Sequence, residues 1–314
     1  MVILKVAQIG TGGWGKNHTR ILSQLNALAA ICDLNEDNCK KYSTQYDVNG
    51  YTSIEELLKN EEFDAAVICT PTSTHFNIAS QFITAGKHVF VEKPLTYHSS
   101  EGVKMLNLAK ENDVLLTCGY IERFNPAVAN VKKYVKEKSY GELIMLEFVR
   151  ENRMPMHIKD VGIIYDTMVH DIDTAMWLFD AAPSVVFARS GKLRHEHEDF
   201  ATIMLGFNNN KSAILYSNWI TPSRIRKFSA VLTEGRISSD FITQEIEIED
   251  EKGKFIPHHQ FDEPLLKEIQ NFIGACKGEV DLVVKPEQAV LVTKVAEAAL
   301  KSSKEHRPIE ISQD

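Results

Sequence analysis

The 314-residue chain reads as an α/β protein, with an N-terminal parallel, doubly wound sheet followed by a C-terminal α+β domain holding a large, mostly antiparallel open sheet. Three observations predict this. Apolar runs and helical stretches alternate through residues 1–120. A Gly10-x-Gly12-x-x-Gly15 pattern joins the first run to the first helical stretch. After residue 120 the alternation gives way to successive β-like runs. Strand–helix alternation at this spacing builds a parallel sheet with helices on both faces, whereas hairpin-like spacing builds an antiparallel one.

In order, the apolar strand runs fall at 3–9, 28–33, 64–69, 87–91 and 114–118, and helices near 15–27, 35–46, 53–60, 73–85 and 98–112. In such sheets a ligand lies beyond the carboxyl ends of the strands. Here those ends are Gly10, Asp33, Thr70-Pro71-Thr72, Glu92-Lys93-Pro94 and Gly119-Tyr120. Further on, a helix near 126–138, a strand 141–150 and a helix 160–180 are expected. Runs of β character follow at 184–191, 199–207, 212–219, 226–233, 236–241 and 244–248, with helices at 263–276 and 286–303. The expected division is 1–120 and 121–314. An open sheet leaves a face needing cover, which favours a homo-oligomer.

A net charge of −8 argues against nucleic acid as the main partner, because phosphate binding needs a basic face. Five scattered cysteines (32, 39, 69, 118, 276) without a C-x-x-C pair suit a reducing cytoplasm, not a disulfide framework. No signal-peptide pattern opens the chain, and no apolar run approaches the roughly twenty residues that span a bilayer, so no membrane association is expected.

The glycines carry the first chemical signal. In a Gly-x-Gly-x-x-Gly set between strand and helix, the first glycine makes the tight turn and the second lets backbone approach a pyrophosphate. The third lets the helix pack close. The helix N-terminus supplies free N–H groups and partial positive charge. Gly10, Gly12, Gly13, Trp14 and Gly15 are therefore candidate dinucleotide contacts. Asp33 ends the second strand about twenty residues beyond, where an acid hydrogen-bonds the ribose hydroxyls and repels a 2′-phosphate, predicting NAD over NADP. Its alternative role is to cap the helix beginning near Asn35.

Lys93, delivered to the ligand end of the sheet, can donate to an oxygen and stabilise developing negative charge; taken alone, it reads equally as a solvated strand end. Within the helix expected at 160–180, Asp166, His170, Asp173 and Trp177 fall on one stripe, and Asp166 and His170 are one turn apart. A carboxylate beside an imidazole fixes its tautomer and supports the imidazolium formed on accepting a proton. Removing a proton from an alcohol as hydride leaves the same carbon needs such a pair. His75 and His18 sit in first turns of helices at the ligand end and read equally as site or structural residues. His195-Glu-His197 and His258-His259 invite a metal reading, but a solvated charged loop explains them and no metal is expected.

These motifs, in order and spacing, carry a resemblance: Gly10-x-Gly12-x-x-Gly15, Thr70-Pro71, Glu92-Lys93-Pro94, Gly119-Tyr120-Ile-Glu-Arg123-Phe-Asn125-Pro126 and Asp166-x-x-x-His170-Asp171-Ile172-Asp173. Together they resemble the Gfo/Idh/MocA oxidoreductases over essentially the whole chain. The resemblance implies an N-terminal Rossmann domain, a C-terminal sheet that commonly makes dimers or tetramers, and a catalytic trio. Lys93 would lie near the nicotinamide, Asp166 would orient, and His170 would act as general base. Thr70, Pro71, Thr72, His75, Glu92, Lys93, Pro94 and Arg123 complete the expected cofactor contacts.

The substrate side is read from Arg153, before the 160–180 helix, and from Trp219 and Arg224 between two strands. They could present cations and an aromatic surface to a diphosphate and a base, or form a solvated rim. Tyr120, Lys93, Asp166 and His170 complete the expected substrate contacts. Residues 217–248 are similar to UDP-N-acetylglucosamine 3-dehydrogenases within the family, implying oxidation at C3 of a nucleotide sugar. An inositol or free sugar is the alternative substrate. A non-catalytic dinucleotide-sensing regulator is the alternative class, though it would not need Lys93, Asp166 and His170 together.

Overall fold

A computed structural model describes residues 4–155, 158, 160–258 and 260–312. The chain divides into two compact units, residues up to 120 with 265–290, and 121–264 with 291–314.

In the first unit, six strands among the described residues form one parallel sheet: β1 (Val6–Ile9), β2 (Leu28–Cys32), β3 (Asn49–Tyr51), β4 (Ala65–Ile68), β5 (His88–Glu92) and β6 (Leu116–Gly119). Their order is β3-β2-β1-β4-β5-β6. The reversal of strand order between β1 and β4 opens the crevice in which doubly wound sheets bind ligands. The connecting helices are α1 (Gly15–Gln24), α2 (Glu36–Tyr46), α3 (Ile54–Asn60), α4 (His75–Thr84) and α5 (Ser99–Glu111). β1 and β4 are buried throughout, as near-continuous apolar runs in a sheet covered on both faces should be. β3 is absent from the expected strands because its Asn-Gly-Tyr sequence has no apolar run and its first two residues are exposed.

The segment 265–290 was expected in the second domain, yet it groups with the first unit. It contains most of α8 (Pro264–Cys276). Phe272 packs edge-on against Phe90 of β5 at 5.7 Å, and Thr117 Oγ1 of β6 donates to the Val284 carbonyl at 2.8 Å. These are contacts between segments more than 150 residues apart, which local sequence patterns do not reveal.

The second unit is built on nine strands among the described residues, with the order β14-β13-β12-β11-β7-β10-β9-β8-β15. They are β7 (Leu143–Glu151), β8 (Val185–Gly191), β9 (Phe200–Gly206), β10 (Ser212–Asn218), β11 (Ile225–Leu232), β12 (Gly235–Asp240), β13 (Ile246–Asp250), β14 (Gly253–Phe255) and β15 (Ile309–Glu310). Only β7 and β10 run parallel; the other pairs are antiparallel. β9 alternates exposed and buried residues along most of its length, the signature of a half-covered sheet. Helix α6 (Pro126–Glu137) packs on β12, and α7 (Val169–Phe179) packs on β7 and β10. The last helix, α9 (Pro286–Glu305), continues from the first unit into the second.

The helix expected at 160–180 is shorter and irregular. Its first turn, Ile164–Met168, is a π turn, and regular α-helix begins at Val169. Glu198 anchors this entry: its carbonyl accepts from Ile163 N–H at 2.9 Å and its carboxylate from Ile164 N–H at 3.2 Å.

Candidate active site

In the first unit, the candidate cofactor residues begin at the glycine loop. Gly10 has φ +79°, and a Cβ there would come within 2.6 Å of the Cys69 carbonyl. A Cβ on Gly15 would lie 2.1 Å from the Gly10 carbonyl oxygen, so this glycine sets how closely α1 starts against the strand. Gly12 is different. A Cβ there would meet nothing within 4 Å among the described residues, so its missing side chain leaves open space. No side chain caps the start of α1 and no acidic residue stands in its first turn. An open, uncapped helix N-terminus next to Gly12 fits the pyrophosphate of a dinucleotide.

Asp33 follows directly on β2. Its Oδ2 accepts from Thr11 N–H at 2.7 Å and Thr11 Oγ1 at 2.6 Å, and its Oδ1 from Asn35 N–H at 2.9 Å. It does not cap α2: Asn35 does, accepting from Asn38 N–H at 2.9 Å. Asp33 therefore ties the second strand end to the glycine loop and keeps a half-buried carboxylate there, which fits a ribose diol.

The next two strand ends are held together by His75, which is buried. Its Nδ1 lies 2.9 Å from the Pro94 carbonyl and its Nε2 2.9 Å from the Thr70 carbonyl. Thr74 Oγ1 donates to Thr70 Oγ1 at 2.8 Å, closing the Thr70-Pro71-Thr72 turn. Glu92 is buried beneath Lys93. One oxygen accepts from the Lys93 N–H at 3.0 Å, and the other lies 2.7 Å from Nε2 of the fully buried His18. The backbone that presents the half-buried Lys93 is thus fixed from below by a His–Glu pair. Sequence reasoning left His18 undecided; its position three residues after Gly15 was the available signal. Trp14 is exposed at the start of α1, and Tyr120, expected to line a substrate site, is fully buried.

In the second unit, Asp166 lies in the π turn and His170 in the first turn of α7, both half-buried. π turns inside helices recur at functional sites. Thr167 Oγ1 donates to Asp166 Oδ2 at 3.1 Å, and Trp219 Nε1 donates to Thr167 Oγ1 at 3.3 Å. Trp219 is 3% exposed. It offers no open aromatic surface to a base, contrary to the expectation. It reaches the candidate site through Thr167, a residue that sequence reasoning missed.

The expected stripe Asp166–His170–Asp173–Trp177 divides in the structure. Asp173 is fully buried and takes a two-point ion pair from Arg123, Nε at 2.9 Å and Nη2 at 2.6 Å. Arg123, expected at the cofactor, also stacks on Trp177 at 5.7 Å. Burial raises the Asp173 carboxyl above its ordinary range, and Arg123 opposes that shift. A second buried cluster of three charged groups also involves α7. Arg150 donates to Asp171 at 2.7 Å and Glu122 at 3.0 Å and lies over the Phe241 ring at 4.4 Å. Burial pushes Asp171 up to about 6 against the pull of Arg150. Arg153 and Arg224 are exposed at the ends of β7 and β11.

Among the described residues, no group of three or more His, Cys, Asp or Glu is arranged to hold a metal ion. His195 instead has Nε2 3.2 Å from the Ile158 carbonyl and meets the Trp219 ring edge-on at 5.5 Å; His259 lies outside the described residues. All five cysteines are free, and burial pushes Cys32 and Cys276 up to about 12, leaving them as neutral thiols at pH 7. Among the described residues, no helix is long and apolar enough to cross a membrane.

A doubly wound sheet with this glycine loop and strand-end acid defines a dinucleotide-binding domain. Residues 4–120 match the oxidoreductase-family model described as an NAD-binding Rossmann fold, and residues 128–238 match the GFO/IDH/MocA C-terminal domain. The chain belongs to the Gfo/Idh/MocA family, and NAD is its cofactor. Among curated relatives it is 28% identical to UDP-N-acetylglucosamine 3-dehydrogenase of Acidithiobacillus ferrooxidans, over 79% of this chain and 77% of that one. It is 25% identical to myo-inositol 2-dehydrogenase of Thermotoga maritima, over 99% of both. The solved structure of the Acidithiobacillus enzyme superposes with a TM-score of 0.89 at 25% identity, covering 97% of this chain and 99% of that one. GenD2 from gentamicin A biosynthesis, solved with NAD, shares the fold with a TM-score of 0.90 at 20% identity, covering 99% and 97%.

Proposed function

We propose that this enzyme oxidises a secondary hydroxyl of a sugar, C3 of a nucleotide sugar such as UDP-N-acetylglucosamine, with His170 as general base. The observation that carries the chemistry is the set Glu92-Lys93-Pro94 and Asp166-x-x-x-His170 in one chain with the dinucleotide loop. NAD, held by Gly10, Gly12, Gly13, Gly15 and Asp33, supplies the hydride acceptor. The Lys93 ammonium donates to the reacting oxygen and stabilises negative charge as it develops there. His170 Nε2 or Nδ1 takes the hydroxyl proton, a role typically worth about 10²–10⁴-fold. Asp166, itself held by Thr167, supports the imidazolium so formed.

The nucleotide-sugar reading is supported by the likeness to the Acidithiobacillus enzyme and by the exposed cations Arg153 and Arg224. An inositol is the second reading, favoured by the full-length match to the Thermotoga relative. Offering UDP-N-acetylglucosamine, N-acetylglucosamine and myo-inositol to the NAD-bound enzyme separates them. NADH formation is expected with the nucleotide sugar; formation with myo-inositol alone would transfer the assignment. We also propose a homodimer or homotetramer formed through the second sheet. Its support is the outward row Met204 and Ile214, directly paired between β9 and β10, with Met145 and Tyr216 also exposed. A monomer in sedimentation velocity would reject it.

A further inference from the structure

β7 and β11 place two arginines directly opposite each other, Arg150 and Arg226. Each lies two residues along its strand from Phe148 or Phe228, a stacked pair on the same inward face at 5.5 Å, so both guanidinium groups are on the interior side of the sheet. Like charges placed opposite one another on neighbouring strands destabilise a sheet. Arg150 resolves its own charge through Asp171 and Glu122, which consume its Nε and Nη2 donors. The Arg226 side chain makes no hydrogen bond and no ion pair among the described residues, although it is half-buried. Burial first, and the Arg150 charge next, push its guanidinium down to about 10, so it stays protonated at pH 7 with no bonded counter-charge.

The surroundings point the same way. In the register of the sheet, Ser217 of β10 pairs with Arg150, which pairs with Arg226, making one inward row. Ser217 Oγ is fully buried with no hydrogen-bond partner among the described residues. The exposed Arg224 precedes Arg226, and Arg153 follows the end of β7, whose Glu151 pairs with Ile225. Glu122 and Asp171 offset the Arg226 charge only through space, and a half-buried charge without a bonded partner adds little to stability. Its five N–H donors form a planar fork that matches a phosphate or carboxylate in two-point contact.

We propose that Arg226 recognises an oxyanion of the substrate, a phosphate or a carboxylate remote from the oxidised carbon. This rests on the sugar-dehydrogenase reading above. Arg224 and Arg153 contribute the field that draws the anion in, and Arg226 supplies the directed hydrogen bonds. A neutral inositol or free sugar leaves the fork without its partner, so Arg226 selects charged sugars over neutral ones.

Isothermal titration calorimetry of the NAD-saturated protein tests this, with uridine diphosphate probing for a phosphate site and glucuronate for a carboxylate site. Saturating NAD keeps the first unit's pyrophosphate site filled. Arg226→Gln is expected to weaken the anion that binds by roughly 10- to 100-fold, with the KM for NAD unchanged. Arg226→Lys, which keeps the charge and loses the fork, should fall between. Because Arg226 has no bonded partner to lose, the melting temperature of Arg226→Gln should hold or rise. No anion binding to the wild-type protein, or equal binding by both proteins, overturns the proposal. A lowered melting temperature with undiminished anion binding does so too, marking Arg226 as structural. Anion binding that depends on Arg226 while no sugar reduces NAD would keep this site and discard the dehydrogenase reading. Oxidation of UDP-N-acetylglucosamine with the same KM by wild-type and Arg226→Gln protein would do the reverse.

Discussion

Gly12 and Gly15 belong to one loop, yet their surroundings ask different things of them. A methyl group on Gly15 would collide with the Gly10 carbonyl at 2.1 Å, whereas one on Gly12 would enter open space. Gly15→Ala should therefore unfold or strongly destabilise the first unit, a cost of about 1–3 kcal/mol or more from overpacking. Gly12→Ala should melt like the wild-type protein and lose NAD affinity, because the methyl group takes the space of the pyrophosphate. Thermal denaturation beside fluorescence titration with NADH reads both, and Gly12→Ala binding NADH normally would reject that placement. Such residues were legible because their chemistry is local. The glycine spacing and Asp33 announce a dinucleotide from sequence alone. His18 beneath Glu92 was not legible, since it depends on a contact across 74 residues. Arg123 was legible as important but not in its partner, Asp173, fifty residues away.

At the scale of elements, long apolar runs and helical stretches were readable, and very short edge pieces were not. β3, β14 and β15 have two or three residues each and little buried surface, so no pattern marks them. The entry to α7 was misread as regular helix because a 3.6-residue period and a π turn share the same apolar residues over so short a span. In the proposed mechanism that turn sets Asp166, and the end of β10 reaches it through Trp219 and Thr167. Trp219→Phe keeps the packing and removes the indole donor. Its kcat is expected to fall roughly 3- to 10-fold, the worth of one hydrogen bond, with the melting temperature and the KM for NAD near wild type. An unchanged kcat would remove the Trp219–Thr167 link from the orientation of Asp166. The buried pairs Arg123–Asp173 and Arg150–Asp171–Glu122 hold α7 to its neighbours within the second unit, and neutralising one partner alone leaves an uncompensated charge worth about 3–5 kcal/mol.

For the whole molecule, the chain crosses between its two units at residues 120–121, 264–265 and 290–291, so neither unit is a single continuous segment. A sequence reading sees the first crossing, where strand–helix alternation stops. The later two depend on where α8 and its flanking loop find apolar partners, and nothing local in 264–290 encodes that choice. The proposed chemistry assigns the hydride acceptor to NAD, the oxygen contact to Lys93 and the proton acceptor to His170. In it, His170 removes the proton while NAD binding belongs to other residues. The direct measurement is single-turnover NADH formation from UDP-N-acetylglucosamine by wild-type and His170→Ala enzyme, with NAD affinity determined for each. A burst of NADH is expected in the wild type, none in His170→Ala, and similar NAD affinity in both. Near-normal NADH formation by His170→Ala would contradict it.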